Sequence, residues 1–374
     1  MENIMNETTG NGLAKSMDLF WNSLQDLATN PTNSGARSVV VQRGVALAET
    51  FNYMSNSLTK IQGDLQSEIE HTVDVANSLM NQINEINKQA EHIETHGYLA
   101  NDLYDERDRL IDELSSIVDI KVDTSSGQPT ITLVQNGNDL TLVDGASLEF
   151  HELKTEDDEG YLNVVISMGI DGEDTQKIDT TSLQGSLNAL LHSHNEDYPQ
   201  MLDSLDAMAK VFVEEFNKVH GYHEEESMGT PFFDPGSLTA GEIQVNEEII
   251  KDSGLIVANL GEDSNDGENA LRLADVFDKT VEITGEETSV KKYYETLIGD
   301  LGVEVQEANR MMDNTNILRS QVDLQRKSVS SVSLDEEMAN MIKFQHAYNA
   351  AARSMTTIDE MLDRIINGMG IVGR

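Results

Sequence analysis

The 374-residue sequence contains no cysteine and only five prolines. Without cysteine there is no disulfide, no thiolate nucleophile and no cysteine-ligated metal. A secreted protein that needs no disulfides can also lack cysteine, so this absence does not fix the compartment. Proline ends or kinks helices, and its scarcity permits helices much longer than those of an ordinary globular domain.

Two kinds of hydrophobic segment are also missing. No apolar run reaches the roughly twenty residues that a membrane-spanning helix needs. Residues 1–11 are polar and acidic, without the basic and apolar regions of a secretory signal peptide. The sequence therefore predicts no membrane insertion and no export by the general secretory route.

Basic residues are scarce, with 25 Lys and Arg against 67 Asp and Glu, which gives a formal net charge of −42. The acidic residues are spread along the whole length rather than held in a tail. Such a charge repels phosphate backbones and anionic lipid, so nucleic acid and membrane surfaces are poor partners. A solvated surface suited to salty or alkaline surroundings explains this composition better than an acidic ligand site.

Common catalytic motifs are absent as well. The sequence has no phosphate-binding loop, no dinucleotide fingerprint and no Gly-x-Ser-x-Gly turn. His151-Glu152 and His223-Glu224 are not followed by the second histidine of a zinc protease helix. Paired carboxylates are so frequent in this chain that their presence does not indicate acid–base catalysis. We predict that the protein is not an enzyme and has no catalytic residues.

Three groups of histidine or acidic residues have side chains of the kinds that bind metal ions. His192 and His194 are two residues apart and would lie on nearly opposite faces of a helix. His220 and His223 could bind zinc together with Glu224. The acidic loop 263–268 resembles calcium-binding loops but lacks the spacing of an EF-hand, so a solvated turn is the better interpretation. We predict no metal ligands and no cofactor.

The first hundred residues have helical periodicity. Apolar residues recur at steps of three and four from Leu13 to Leu27, and Asn30-Pro31 ends that pattern. A second stripe runs from Leu47 to Ile93, which predicts a helix of about fifty residues, typical of long bundles and coiled coils. A shorter helix is expected over 102–114.

The period changes from about 3.6 to 2 at Ile117. Alternating apolar residues predict strands near 118–122, 131–133, 140–142 and 162–168, and Asn136-Gly137 is typical of a hairpin turn. A helical pattern resumes from Leu183 to Val219, where Pro199 should bend or interrupt the helix. Residues 222–288 are acidic and irregular, with short elements only, and helix returns from about Val290 to Ser328.

The C-terminal segment has the most regular pattern of the chain. Ser333 and Glu336 form a capping box at the start of a helix, and Gly368 and Gly370 end it. Apolar or aromatic residues then follow at alternating steps of three and four. We refer to these residues and the leading leucine as the seam: Leu334, Met341, Phe344, Tyr348, Ala351, Met355, Ile358, Leu362, Ile365 and Met369.

So regular an apolar stripe has to be covered, because exposed apolar area favours association. It could pack into the bundle formed by its own chain or pair with a helix from outside the chain. Ala351 and Ala352 beside Tyr348 would allow the close approach of a second backbone, as in a coiled coil of two or three strands.

The segment 328–353, SVSSVSLDEEMANMIKFQHAYNAAAR, resembles the C-terminal signature of bacterial flagellar axial proteins. Within that group the chain is most similar to the hook-associated proteins of the hook–filament junction. Residues 12–31, the segment 101–114 (NDLYDERDRLIDEL), Phe232-Phe233 and Gly267–Leu271 agree with the same family. The similarity covers nearly the whole chain, although Ser331 stands where the family usually has glycine.

The resemblance implies a structural subunit that is exported through the flagellar type III apparatus and belongs to the extracellular flagellum. It implies self-association into a ring, contacts with neighbouring hook and filament-side junction proteins, and a dedicated export chaperone at the C-terminal helix. The family begins with an N-terminal helix that pairs with the terminal helix. This chain starts at the expected helical domain, so we expect residues 334–369 to lack that partner.

The expected fold is mainly α with a smaller β-rich insertion (α+β), an elongated long-helix bundle with a terminal coiled-coil helix. The expected domains are a helical bundle (1–116 and 183–332), a β-rich insertion (117–182) and a terminal axial-core helix (333–374). Another flagellar axial protein, either a flagellin or a filament-side junction protein, is the alternative. A cytoplasmic coiled-coil signalling protein fits less well, because the β segment interrupts its helical hairpin.

Overall fold

The computed structural model describes residues 2–5, 12–125, 127–135, 139–158, 160–168, 174–178, 183–221, 229–260, 266–330 and 333–368. The chain forms two compact units, residues 1–301 and 302–374. Long helices predominate, and small antiparallel sheets accompany them in the first unit. The predicted α+β class is therefore confirmed, whereas the four-segment domain division stays a prediction.

The helices of the first part are α1 (Glu2–Met5), α2 (Leu13–Thr29), α3 (Ser34–Glu94) and α4 (Asn101–Ile117). Helix α3 begins thirteen residues before the predicted start at Leu47. The Asn33 side chain caps it by accepting hydrogen bonds from the amides of Gly35 and Ala36. The first turn, residues 34–37, has no large apolar residue, so periodicity alone did not indicate where the helix starts.

The β-rich segment forms two antiparallel sheets. One has the order β1-β2-β3-β4, with β1 Ile120–Asp123, β2 Thr130–Leu133, β3 Leu140–Asp144 and β4 Glu149–Phe150. The other has the order β5-β6-β7, with β5 Glu152–Asp158, β6 Tyr161–Met168 and β7 Asp174–Lys177. The four predicted strands correspond to β1, β2, β3 and β6. The Asn136-Gly137 turn lies outside the described residues.

These sheets share their core with the helices. Residues from Ile69 to Ile86 of α3 and Leu110 and Leu114 of α4 pack with buried strand residues such as Ile131, Leu142 and Val164. Burying one such side chain contributes about 1.5–3 kcal/mol. The β-rich segment is therefore packed against the middle of α3 over a continuous apolar core.

The helix predicted over 183–219, with a bend or interruption at Pro199, forms as two α-helices joined by a π-helical turn. Helix α5 (Ser186–His192) leads into a π-helical turn, Ser193–Asp197, and then into α6 (Tyr198–His220). Pro199 lies in the first turn of α6 and lacks the amide that would bond back to the preceding turn. The predicted interruption at Pro199 is confirmed, and it takes the form of a π-helical turn.

The other end of the first unit has an aromatic core. Phe20 of α2, Phe212 and Phe216 of α6, and three phenylalanines from the connecting segments lie within 5.0–6.2 Å of one another, centroid to centroid, in neighbouring pairs. All six side chains are buried. The last three are Phe232, Phe233 and Phe277.

Three asparagine side chains fasten backbone segments to this framework, each through two hydrogen bonds of 2.8–2.9 Å. Asn77 of α3 binds the backbone of Leu153, Asn195 binds that of Leu162, and Asn217 binds that of Phe233. In each case Nδ2 donates to the carbonyl oxygen and Oδ1 accepts from the N–H of the same residue. An amide side chain can satisfy both backbone groups at once, which a hydroxyl or carboxylate cannot do in this geometry.

In the described residues between 229 and 288, which leave out 261–265, the chain forms only short elements, as predicted. They are α7 (Glu247–Lys251), a 3₁₀ turn at Ser253–Leu255, α8 (Glu268–Asp275), β8 (Val281–Ile283) and β9 (Glu286–Thr288). Arg37 of α3 ties down the 3₁₀ turn by donating to the carbonyl oxygens of Gly254 and Ile256 at 3.1 and 2.7 Å. Burial lowers the pKa of this guanidinium.

The last two helices are α9 (Val290–Ser330) and α10 (Leu334–Gly368). At the start of α9, Tyr294 donates to the carbonyl of Met5 at 2.7 Å and Lys291 pairs with Asp18 at 2.9 Å. Tyr294 and Leu301 are buried, but further along the predicted stripe Val305 is half-buried, and Ala308 and Met312 are exposed. The stripe of α9 is thus packed only in the part that belongs to the first unit.

Candidate assembly surface

Helix α10 begins at the predicted cap. The Ser333 hydroxyl accepts a hydrogen bond from the amide of Glu336 at 3.4 Å, and the Ser333 carbonyl accepts from Glu337 at 3.0 Å. Asp335, Glu336 and Glu337 occupy the first turn, where the positive end of the helix dipole stabilises acidic side chains. The local sequence is therefore sufficient to specify where α10 starts.

The seam is open to solvent along the described length of α10. Exposure ranges from 48% for Leu362 to 82% for Leu334, with Phe344 at 68% and Tyr348 at 76%. The other described seam residues are also exposed, and Met369 lies outside the described residues. Soluble monomers rarely expose apolar patches of more than a few hundred Å². A surface of this kind is typical of a site that binds another helix.

The apolar face is wider than the predicted seam. Met338 continues its spacing, four residues after Leu334 and three before Met341, and is 53% exposed. It was missed although it follows the same three-and-four spacing. Ile342, Met361 and Ile366 are exposed beside the seam and broaden it. We call the seam together with these four residues the α10 face.

Charged side chains are sparse in the middle of α10. Between Lys343 and Asp359 the only Asp, Glu, Lys or Arg residue is Arg353. The hydroxyls of Thr356 and Thr357 bond back to main-chain carbonyls of the preceding turn and are thereby satisfied within the helix. This stretch offers a partner apolar contact with little charge to desolvate.

The part of α9 that belongs to the second unit is also exposed. From 302 to 329 every residue except half-buried Val305 is exposed. Its large apolar residues are accessible to solvent: Val303, Met311, Met312, Ile317, Leu318, Val322, Leu324 and Val329. Lys327 pairs with Asp323 at 2.7 Å and lowers the pKa of that carboxyl. The helical periodicity of this part of α9 predicted a segment of the helical bundle and gave no sign of an exposed surface.

The histidines considered as metal ligands have other roles in the structure. His220 is fully buried, its Nδ1 donates to the Thr230 carbonyl at 2.9 Å, and its Nε2 accepts from the Val257 amide at 3.1 Å. Burial lowers the pKa of His220 to about 4. Because both ring nitrogens are engaged, His220 is not free to bind zinc. His223 and Glu224 lie outside the described residues.

His194 is also buried, and its Nδ1 lies 2.9 Å from Oδ1 of Asn195. The first half of the acidic loop 263–268, residues 263–265, lies outside the described residues. In the part of the chain that the structure describes, no group of three or more His, Asp or Glu side chains is placed to hold a metal ion. Over the same residues, no helix has both the length and the apolar content needed to cross a membrane.

Other segments that carry the family resemblance have structural roles. Arg107 of α4 is buried and donates to Oδ1 of Asn87 at 3.2 Å and to Oε1 of Gln128 at 2.8 Å, which joins α4 to α3 and to the connection between β1 and β2. Burial lowers the pKa of Arg107. Gly267 precedes α8 where an added Cβ would lie 2.0 Å from the Ala28 carbonyl oxygen, so only glycine fits.

Two family models of known proteins match different regions of the chain. Residues 1–233 match the family model of the flagellar hook-associated protein FlgK helical domain. Residues 328–368, which include all of α10, match the model of the flagellar basal body rod FlgEFG protein C-terminal region. The exposed C-terminal helix is therefore similar to a segment found in rod proteins as well.

Relatives named flagellar hook-associated protein 1 match along nearly the whole chain. Flagellar hook-associated protein 1 of Bacillus subtilis (strain 168) is 44% identical, over 100% of this chain and 80% of the relative. The protein of that name from Escherichia coli (strain K12) is 23% identical over 97% of this chain and 82% of its own. The flagellar hook junction protein FlgK from Burkholderia pseudomallei has a similar structure, with a TM-score of 0.75, 14% identity, and coverage of 89% of this chain and 96% of that one. The chain belongs to the flagellar hook-associated protein 1 (FlgK) family, whose members are structural components of the bacterial flagellum.

Proposed function

We propose that this protein is a structural subunit of the junction between hook and filament, and that it joins its neighbours through the α10 face. The observation that carries this proposal is the exposure of the seam over more than thirty residues, from Leu334 to Ile365. Alternating steps of three and four residues are the spacing of knobs-into-holes packing between helices. The α10 face is thus shaped for a second helix.

The free energy of burying apolar side chains supports pairing of α10 with another helix. Burying a Leu, Ile, Met or Phe side chain that was exposed contributes about 1.5–3 kcal/mol. Several such residues along α10 together offset the loss of freedom on association, which costs about 4–15 kcal/mol. Neither the Ser333 cap nor the middle of the helix needs rearrangement before binding, because the helix is already formed.

The proposed partners are those that the family resemblance implies. They are further copies of this chain in a ring, the neighbouring hook and filament-side junction proteins, and an export chaperone that covers α10 before assembly. The protein leaves the cell through the flagellar type III apparatus and acts mechanically, without catalysis, metal or cofactor. Residues 1–233 match the hook-associated family, which favours this role over that of a flagellin or a cytoplasmic signalling coiled coil.

The test introduces one charge into the α10 face. Leu362→Asp places a carboxylate in the seam, and we expect cells that depend on this variant to assemble hooks that lack attached filaments. The matched control is Thr357→Asp, which adds the same charge to the same helix at an exposed position off the seam. Electron microscopy of flagella counts hooks that carry filaments.

Both variants should retain the wild-type circular dichroism and melting temperature, since α10 is exposed and contributes little to the core. Normal filament numbers with Leu362→Asp would show that the seam has no part in assembly. Equal loss with both variants would show that α10 tolerates no added charge, which also contradicts a role specific to the seam.

A further inference from the structure

The negative charge is divided unequally between the two units, although acidic residues occur along the whole length of the sequence. Residues 302–374 contain ten acidic and eight basic residues, a formal charge of −2. Residues 1–301 contain the other 57 acidic and 17 basic residues, a formal charge of −40. The second unit is nearly neutral, and the first carries almost all of the charge.

Exposed apolar side chains have the opposite distribution. Of the 31 exposed large apolar residues in the described part of the chain, 20 lie beyond Leu301. That unit is about one fifth of the sequence, with 73 of 374 residues. Most of the exposed apolar surface therefore belongs to the second unit, and most of the negative charge belongs to the first.

We infer that copies of this protein associate through residues 302–374 against electrostatic repulsion between their first units, so that salt promotes assembly. This inference rests on the proposed function, because it takes a second copy as a partner of the α10 face. Like charges repel over a distance set by the ionic strength, with a Debye length of about 30 Å at 0.01 M and about 3 Å at 1 M. Salt shortens the range of this repulsion.

Added salt should not weaken the contact between copies, because that contact is apolar. No seam residue is charged. Two ion pairs within the described part of residues 302–374, Arg310 with Glu307 at 3.5 Å and Lys327 with Asp323 at 2.7 Å, each join residues one turn apart on α9. An interface held by salt bridges weakens as salt is added, whereas apolar burial does not. The sign of the salt effect therefore distinguishes the two kinds of contact.

A second copy is the occupant that the charges favour. Two copies of the second unit bring only a charge of −2 each into contact, so their apolar faces can meet at little electrostatic cost. The first units bring −40 each, and their repulsion is what low salt should reveal. A strongly basic partner would show the opposite behaviour, since salt would screen its attraction to the first unit.

The experiment measures self-association of the full chain by sedimentation velocity in NaCl from about 0.02 M to about 1 M, a range over which the Debye length falls several-fold. We expect the association constant to rise by at least about a hundredfold with salt. MgCl₂ at equal ionic strength should act similarly if screening is the cause. A much stronger effect of MgCl₂ would mean that divalent ions bridge carboxylates and would overturn the inference.

A charge-reduced variant tests the origin of the repulsion. It replaces six exposed acidic residues of the first unit by their amides and changes the formal charge of 1–301 from −40 to −34: Asp64, Glu68, Asp74, Glu282, Glu286 and Glu287. It should associate at lower salt than the wild type. The control exchanges Asp and Glu at the same six positions, which keeps the charge, and should follow the wild type.

The outcomes separate the inference from the function on which it rests. If the wild type does not self-associate at any salt concentration, or if Leu362→Asp associates as well as the wild type, association through the α10 face fails. If the wild type associates through that face but salt weakens it or has no effect, the proposed function stands and the electrostatic inference is wrong.

Discussion

The side chain of Asn217 forms a closed pair of hydrogen bonds with the main chain of Phe233. Its Nδ2 donates to the Phe233 carbonyl at 2.9 Å, and its Oδ1 accepts from the Phe233 amide at 2.9 Å. Asn217 and Phe233 are both buried. The segment that contributes Phe232 and Phe233 to the aromatic core is held on α6 by this pair.

Replacing Asn217 by alanine should destabilise the first unit by about 2–4 kcal/mol, because two buried backbone groups of Phe233 lose their partners. Urea denaturation followed by circular dichroism measures the change. The control is Asn22→Ala on the exposed surface of α2, which we expect to change stability by less than about 0.5 kcal/mol. Equal effects of the two substitutions would contradict the role of the Asn217 pair.

Two glycines of the same helix should respond in opposite ways to alanine. At Gly44 the new Cβ would lie 2.8 Å from Cε1 of Phe232, a ring that is fully buried in the aromatic core. We expect Gly44→Ala to destabilise the fold by about 1–3 kcal/mol.

At Gly63, also in α3, a Cβ would meet no atom within 4 Å. Gly63→Ala should therefore stabilise the fold by about 0.5–1 kcal/mol through helix propensity alone. Thermal unfolding of the two variants gives the comparison directly. A stabilised Gly44→Ala variant would mean that α3 and Phe232 are not in close contact.

His220 should make the fold sensitive to mild acid. Its pKa is about 4 in the folded state because of burial, against 6.5 in the unfolded chain. The unfolded state therefore takes up a proton as pH falls through 6.5 while the folded state does not, and stability is lost from that pH down to about 4. Between pH 7 and pH 5 the loss is about 2 kcal/mol.

The variant His220→Gln removes this titration. It should be less stable than the wild type at pH 7, because the hydrogen bonds to Thr230 and Val257 are not reproduced in full. Its stability should change less between pH 7 and pH 5 than that of the wild type. Parallel pH profiles of urea denaturation for the two proteins would refute the assignment of the pH dependence to His220.

Features that depend on a short stretch of sequence were predictable. The cap at Ser333 and the spacing of the seam predicted α10 from Leu334 almost to its last residue. Pro199 predicted an interruption, because the missing amide is a local property. The family resemblance, which depends on the same C-terminal segment, was confirmed by the match to the hook-associated family.

Features set by distant contacts were not predictable from periodicity. Strand β5, Glu152–Asp158, is mostly acidic and has one buried residue, Leu153, and its pairing with β6 is what makes it a strand. Likewise the amide pairs of Asn77, Asn195 and Asn217 join residues 16 to 76 positions apart. The exposure of α9 beyond Leu301 depends on which elements pack around it, and no pattern within the helix gives that information.

The three asparagine pairs also set a chemical lifetime for the fold. Hydrolysis of one of these amides to a carboxylate would replace the Nδ2 donor by a second acceptor facing the carbonyl oxygen of Leu153, Leu162 or Phe233. The attraction between the side chain and that carbonyl oxygen would then become repulsion, with almost no change in the shape of the side chain. Asparagine is among the thermolabile residues, and helical backbone at Asn77 and Asn217 restrains the reaction while the chain is folded. Ageing damage at these positions should therefore accumulate mainly in molecules that have spent time unfolded.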